Sequence, residues 1–276
     1  MRLALTNPAF HFHEADIAAP GFSTRLRRDY PEPNYIFHLA AVASMAYSMV
    51  HKQETLHLNY VVTRAICEEA RDLGCSAFVF AGSAAEYGDT ETFPLQENAP
   101  DMHTRHLSPY GRTKFLSSRY IENAGFGCSL RFFNIYGPRQ DPSSPYSGVI
   151  SRFMHFGTKH EPLTVFGDGS QIRDFIYVQD AVRAYLLAAG LEGACDPLRG
   201  IFNVCTGKHA DILSLAENIN TLTDNHHPVL FGPVRPGDIP KSIGDGNKFR
   251  RATGFSPSHT LMQGLANTLK WYKGQP

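Results

Sequence analysis

Short apolar runs alternate along this chain with longer stretches in which apolar residues return every three or four positions. NYIFHLAA (34–41), SAFVFAGS (76–83) and CSLRFFNIYG (128–137) are the clearest runs, and they predict strands buried on both faces. AFHFHEAD (9–16) alternates apolar and polar positions and predicts one more strand. TLHLNYVVTRAICEEARDLG (55–74) has helical spacing and closes on Gly74. SPYGRTKFLSSRYIENAG (108–125) opens on Ser108-Pro109 and closes on Gly125, so both stretches carry helix-end signals. VQDAVRAYLLAAG (178–190) and GIFNVCTG (200–207) read as a further helix and strand of the same sheet. The alternation predicts an α/β fold with a doubly wound parallel sheet.

The texture changes after Pro138. QDPSSPYSG (140–148) is turn-rich, VISRFMHFGTKHE (149–161) predicts a helix, and PLTVFGDGS (162–170) predicts a short strand and turn. The chain from HADILSLAENIN (209–220) onward would build a smaller lobe. The expected division is interleaved: residues 1–134 plus about 172–207 in one unit, 135–171 plus about 208–276 in the other.

Composition narrows the function classes. Of 276 residues, 42% are hydrophobic and 19% charged, which supports a sizeable core. Lys+Arg and Asp+Glu are both 26, so neither a nucleic-acid surface nor a membrane-binding patch is expected. The five cysteines form no CxxC pair and their number is odd, which fits reduced thiols in the cytoplasm. No apolar run approaches a membrane span, and no signal-type apolar region opens the chain. His11 and His13 share one face of the predicted strand but lack a third ligand, so no metal site is expected there.

Candidate chemistry starts in SPYGRTK. Tyr110 and Lys114 are four apart, on one face of the predicted helix. A nearby ammonium favours a phenolate, and drawing a tyrosine from about 10 to about 7 takes roughly 4 kcal/mol. Ser83 ends the buried run in FVFAGSAAEYGD, where strands of a doubly wound sheet face the ligand crevice. A strand-end hydroxyl in one unit and a helical Tyr/Lys pair in the next form a stronger signal than either alone.

With these motifs in order, the chain resembles the extended short-chain dehydrogenase/reductase family. Within it, the nearest likeness is to NAD-dependent nucleotide-sugar epimerases of the UDP-glucose 4-epimerase kind. The resemblance runs through EADI, FHLAA, LNYVVT, AGSAAEYGD, SPYGRTK, LRFFNIYGPRQDP, VISRF, LTVFGDGSQIRDFIYVQDAV, FNVCTG and RPGD. It implies a Rossmann-like sheet with a nucleotide-sugar lobe. It implies Tyr110 as base, Lys114 as its activator and nicotinamide-ribose ligand, and Ser83 as hydrogen-bond partner of the sugar oxygen. Asp16 and Ile17 resemble adenine-side contacts, Ala40 and Ala41 would line the cofactor's diphosphate and ribose, and Asn59 would brace the site. Asn134, Arg173 and Arg235 match diphosphate contacts, Phe166 a base-packing position and Asp238 a ribose contact. An ion pair with Asp174 or Asp180 is the alternative for Arg173, and core packing is the alternative for Phe166. The resemblance also implies a homodimer formed through the helices near 52–73 and 108–124.

Departures narrow the reaction. Dehydratases of this family carry Asp-Glu after the catalytic hydroxyl residue, where this chain has Ala84 and Ala85. Glu86 stands one place later, at a usually apolar position, and is expected on the other side of the chain without a catalytic role. Oxidation followed by re-reduction then remains. Ser242 matches a position that limits the sugar pocket, and its small size leaves room for N-acetylhexosamines beside hexoses. The other departure is at the start. No GxGxxG is present and no Gly precedes Gly21. The resemblance places a glycine-rich phosphate turn before NPAFHFHEADI, so about fifty residues are expected to be missing. Their loss would leave an exposed apolar strand edge. A start at an internal Met of a longer protein is the favoured explanation, and natural loss of cofactor binding is the other. Three readings follow: an NAD-dependent 4-epimerase, a fragment or pseudoenzyme that binds nucleotide sugar or a partner chain, and a related NAD(P)-dependent reductase or dehydrogenase.

Overall fold

The computed structural model of the protein describes residues 4–144, 147–193, 195–234 and 239–274. Helix α1 (Phe22–Asp29) precedes strand β1 (Tyr35–His38), followed by α2 (Met45–Val50), α3 (Lys52–Leu56), a π-helical turn (His57–Val61) and α4 (Val62–Asp72). Next come β2 (Ala77–Ser83), a 3-10 turn (Ala84–Tyr87), α5 (Pro109–Asn123), β3 (Cys128–Phe132), β4 (Asn134–Tyr136) and α6 (Val149–Thr158). Then follow β5 (Thr164–Phe166), β6 (Ile172–Arg173), β7 (Phe175–Tyr177), α7 (Val178–Ala188), β8 (Gly200–Val204) and β9 (Ala210–Asp211). The chain closes with α8 (Ile212–Thr223), β10 (Leu230–Gly232), β11 (Lys241–Ser242), α9 (Asn247–Thr253) and α10 (Leu261–Lys273).

The main sheet has the order β1-β2-β3-β8, and every pair in it is parallel. Successive residues of β2 point to opposite faces. Ala77 and Val79 join Leu130, Phe132, Ala184, Leu187 and Val204 on one side. Phe78 and Phe80 join Ile66, Cys67, Ala70 and Ile121 on the other. Helices therefore cover both faces, which is why the strands read as continuous apolar runs. Each fully buried phenylalanine of β2 contributes roughly 1.5–3 kcal/mol. A separate cluster joins Ile150 and Met154 of α6, Val165 of β5, Leu215 and Ile219 of α8 and Leu265 of α10. Among the described residues no helix is long and apolar enough to cross a membrane.

Four sequence expectations need correction. AFHFHEAD is not a strand: residues 10–16 have no regular structure. A strand exists only where a neighbour takes its alternate N–H and C=O groups, and no described strand lies beside this segment. Likewise β1 has β2 as its one described neighbour, and Phe37 and Leu39 are 38% and 55% exposed. The stretch 55–74 is not one uniform helix, because the π-helical turn at His57–Val61 interrupts it. CSLRFFNIYG divides at Phe133, with β3 in the main sheet and β4 paired to β7.

Candidate active site

The carboxyl end of β2 meets the first turn of α5. Ser83 closes β2, and its Oγ accepts the Ala85 N–H at 3.2 Å, while the Glu86 carboxylate accepts the Ser83 N–H at 2.9 Å. This reciprocal cap fixes the 3-10 turn. Helix α5 starts in the same manner: Ser108 Oγ accepts the Gly111 N–H at 3.1 Å, with Pro109 in the first turn. Gly111 sets how close the two capped turns come. A Cβ there would lie 2.4 Å from the Ala85 carbonyl oxygen, so only glycine lets α5 settle against the end of β2. Tyr110, next in sequence, is thereby placed beside Ser83.

Lys114 lies one helical turn further and is buried. Its Nζ donates to the Ala81 carbonyl at 2.7 Å, 4.5 Å from the Phe80 ring centroid and 6.0 Å from that of Tyr110. Burial pushes the Lys114 ammonium down to about 8, with the Glu86 carboxylate acting the other way. Burial also dominates at Tyr110, raising the phenol above its ordinary value; a hydrogen bond with the Ser83 hydroxyl opposes this and the Glu86 charge adds to it. Desolvation of a phenolate therefore sets the direction at Tyr110.

Asn59 comes from the π-helical turn, a feature that often marks functional positions. Its Oδ1 accepts the Val42 N–H at 2.8 Å and its Nδ2 donates to the Val42 carbonyl at 2.9 Å. The same Nδ2 reaches Thr113 Oγ1 at 3.3 Å, and the Asn59 carbonyl accepts from Ser117 Oγ at 2.7 Å. One side chain thus ties the loop holding Ala40 and Ala41 to α5. Ala40, Ala41, Asn59, Ser83, Tyr110 and Lys114 gather at the carboxyl ends of β1 and β2. Asp16 and Ile17 are less engaged. Asp16 Oδ1 accepts the Ala18 N–H at 2.9 Å in a local turn, and Ile17 packs on the cluster holding Phe78 and Phe80.

A second group lies across the β6–β11 pairing, where Ser242 and Arg173 are register partners. Asn134 Nδ2 donates to the Asp174 carbonyl at 2.9 Å, and Arg173 Nη1 to the Ile172 carbonyl at 3.0 Å. The Asp174 carboxylate is committed to Thr206 and Gly207, and that of Asp180 to Ser258 and His259. Phe166 sits on β5 opposite Gly232 of β10. A cavity of about 850 Å³ opens beside it, lined by Gly167, Gln171, Phe231 and Pro240 among others. Arg235 and Asp238 lie outside the described residues.

With this geometry in place, comparison with known proteins is informative. The profile of the NAD dependent epimerase/dehydratase family matches residues 2–205. The chain belongs to that family. It is 31% identical to a UDP-glucose 4-epimerase of Mycolicibacterium smegmatis, over 96% of this chain and 84% of that one. A crystal structure of UDP-glucose 4-epimerase with UDP-glucose from Thermotoga maritima superposes with a TM-score of 0.87 and 31% identity, covering 97% of this chain and 85% of that one. A Thermus thermophilus UDP-glucose 4-epimerase in complex with NAD gives 0.85 and 29%, covering 98% and 87%. The α/β, Rossmann-type fold agrees with these relatives. A phenol and an ammonium on one helix face, beside a strand-end hydroxyl, suit the nicotinamide-ribose end of such a cofactor.

Two features escaped the sequence reading. His38 is buried, with Nε2 2.9 Å from Thr63 Oγ1 and its ring stacked 6.0 and 5.8 Å from Phe78 and Phe80. Burial, helped by the Lys114 charge, lowers it to about 4, so it is neutral at pH 7. Glu86 and Arg131 form a fully buried ion pair below Ser83. A lone His or Glu within a known motif carries no signal of burial until its neighbours are placed. Among the described residues no group of three or more His, Cys, Asp or Glu could hold a metal ion.

Proposed function

We propose that this chain epimerises C4 of a UDP-activated hexose, UDP-glucose/UDP-galactose or their N-acetyl forms, with NAD as resident cofactor. The observation that carries this reading is Ser83, Tyr110 and Lys114 converging at one turn that continues as Ala84-Ala85, while the next carboxylate, Glu86, is buried against Arg131. NAD, when bound, supplies the hydride acceptor and donor. Tyr110 would take the proton of the sugar 4-hydroxyl and return it, with Ser83 holding that oxygen and the Lys114 ammonium favouring the phenolate. Elimination or decarboxylation would need the carboxylate that Ala84 and Ala85 lack. Arg173 and Asn134, with Arg235, would face the diphosphate, because a guanidinium fork matches phosphate oxygens. Phe166 would pack on the base and Asp238 would hold its ribose, while Ser242 leaves room for an N-acetyl group.

On this reading residues 1–134 with about 172–207 serve the cofactor, the rest serve the sugar nucleotide, and the protein works in the cytoplasm. It would act as a homodimer joined through α3–α4 and α5. Exposed Met49, Leu56 and Val61 support that face, as does a cavity of about 720 Å³ lined by Met49, Lys52, Leu56, Arg112 and Leu116 among others. A second reading is UDP-sugar binding without NAD catalysis. Nicotinamide dinucleotide released on denaturation and UDP-galactose-to-UDP-glucose conversion decide between them. About one dinucleotide per chain with conversion supports the epimerase. UDP-sugar binding with neither supports the second reading.

A further inference from the structure

A buried ion pair lies directly beneath Ser83, and the hydride chemistry makes no use of it. Arg131 on β3 and Glu86 on the 3-10 turn both have side chains that are 0% exposed, and Arg131 Nε meets Glu86 Oε2 at 2.6 Å. Arg131 Nη1 also donates to the Glu97 carbonyl at 2.7 Å, which fixes the guanidinium from a second side. The other carboxylate oxygen reaches β2 and α5. Glu86 Oε1 accepts the Ser83 N–H at 2.9 Å and the Ser118 hydroxyl at 2.9 Å, and Ser118 Oγ lies 2.7 Å from Ser129 Oγ. Ser118 follows Tyr110 and Lys114 at helical spacing on α5, so it shares their face.

One carboxylate therefore bonds the end of β2, helix α5 and strand β3 at once. Gly82 makes room for this: a Cβ there would lie 2.5 Å from Ser129 Oγ and 3.0 Å from Glu86 Oε1. Buried ion pairs are seldom net stabilisers, and well-packed apolar side chains of similar volume often fold as well or better. What such a pair adds is direction, because charge-assisted bonds are short and geometrically restrictive.

We propose that Glu86 is a positioning residue, whose Arg131-clamped carboxylate holds Ser83 on β2 at a fixed separation from Tyr110 and Lys114 on α5. The role rests on reading those three as the reacting residues. A misplacement of about 1 Å in such a constellation can cost on the order of 100-fold in rate.

Ser118→Ala cuts the α5 arm of the clamp without stranding a charge. Glu86→Gln keeps an acceptor for Ser83 and Ser118 but leaves Arg131 uncompensated, so it is the variant more prone to unfold. Each is followed by thermal melting, by UDP-sugar kinetics and by the ring-carbon NMR signal of Tyr110 at neutral pH, assigned with Tyr110→Phe. Ser118→Ala is expected to lower kcat about tenfold, with KM within about twofold, and to displace the Tyr110 signal. Glu86→Gln, where it folds, displaces that signal as well. A lower melting temperature in Ser118→Ala with an unmoved Tyr110 signal and unchanged kcat overturns the proposal and leaves only a structural pair. If the wild-type chain interconverts no UDP-sugar, the functional reading fails, and the NMR comparison still decides whether the clamp sets the Ser83–Tyr110 arrangement.

Discussion

The side chain of Asn59 and the backbone of Val42 exchange two hydrogen bonds, at 2.8 and 2.9 Å, and thereby fasten the loop after β1 to the helix that carries Tyr110. The loop has no other described cross-brace of this kind, and it carries Ala40 and Ala41. Asn59→Leu fills the space but strands the Val42 N–H and C=O, at a cost of roughly 1–3 kcal/mol for each buried group that water cannot reach. We expect lower thermal stability and weaker NAD retention, with UDP-sugar affinity close to wild type. Asn59→Asp keeps the acceptor and loses the donor, so it should fall between the two. Released dinucleotide per chain and isothermal titration with UDP make the comparison.

Lys114 sets function against stability. Its folded-state value is lowered to about 8 from 10.5 by burial. Between those values the unfolded chain binds more protons, so stability rises with pH across that window, and below about pH 8 the burial penalty is complete. Lys114→Met removes the penalty but also the bond to Ala81. At pH 7 we expect a net gain on the order of 1 kcal/mol, a flatter stability profile between about pH 8 and 10.5, and activity reduced by at least about 100-fold. Urea titrations at several pH values test the first two. A variant that is both less stable and equally pH-sensitive would contradict this account.

The sheet was legible because NYIFHLAA, SAFVFAGS and GIFNVCTG are apolar on both faces, a pattern that a doubly wound parallel sheet requires. The helix that carries Tyr110 and Lys114 was legible because Ser108, Pro109 and Gly125 mark its ends. AFHFHEAD misled because alternation reports a half-buried face, not the presence of a hydrogen-bonding neighbour, and pairing is a long-range fact. The π-helical turn was invisible for a similar reason: helical periodicity tolerates one added residue, and only the Asn59 contacts with Val42 and Thr113 reveal why it is there. Ser83, Tyr110 and Lys114 could be placed from spacing and motif order. Their electrostatics could not, since burial decides the direction at Tyr110, and burial is a property of the packed molecule.

His38 gives the acid side of the stability profile. Its folded-state value is lowered to about 4 from 6.5, chiefly by burial, so over that interval the unfolded chain takes up a proton that the folded chain refuses. The sign is therefore loss of stability as pH falls from about 6.5 to about 4. His38→Gln retains a polar partner for Thr63 without titrating. We expect the variant to be slightly less stable at pH 7 and distinctly less acid-sensitive. Melting temperatures from pH 7 down to pH 4 give the test, and parallel curves for the two proteins would sink the assignment to His38.

The open side of β1 predicts a specific association behaviour. β1 pairs with β2 alone among the described strands, and Tyr35, Phe37 and Leu39 are exposed. Such an edge is a template for strand pairing with another copy. The Phe37 ring meets Tyr185 edge-on at a centroid distance of 6.1 Å, so replacing it sacrifices about 0.5–1.5 kcal/mol of aromatic contact. Phe37→Lys introduces a charge at the edge while β1 keeps its register with β2. We expect concentration-dependent association to fall in this variant, with far-ultraviolet circular dichroism unchanged. The proposed dimer face lies elsewhere, on α3 and α5, and Leu56→Glu addresses it separately. Light scattering over a wide concentration range should show Phe37→Lys suppressing large species and Leu56→Glu suppressing the dimer. Loss of both in either variant would mean that edge and helix face belong to one continuous interface.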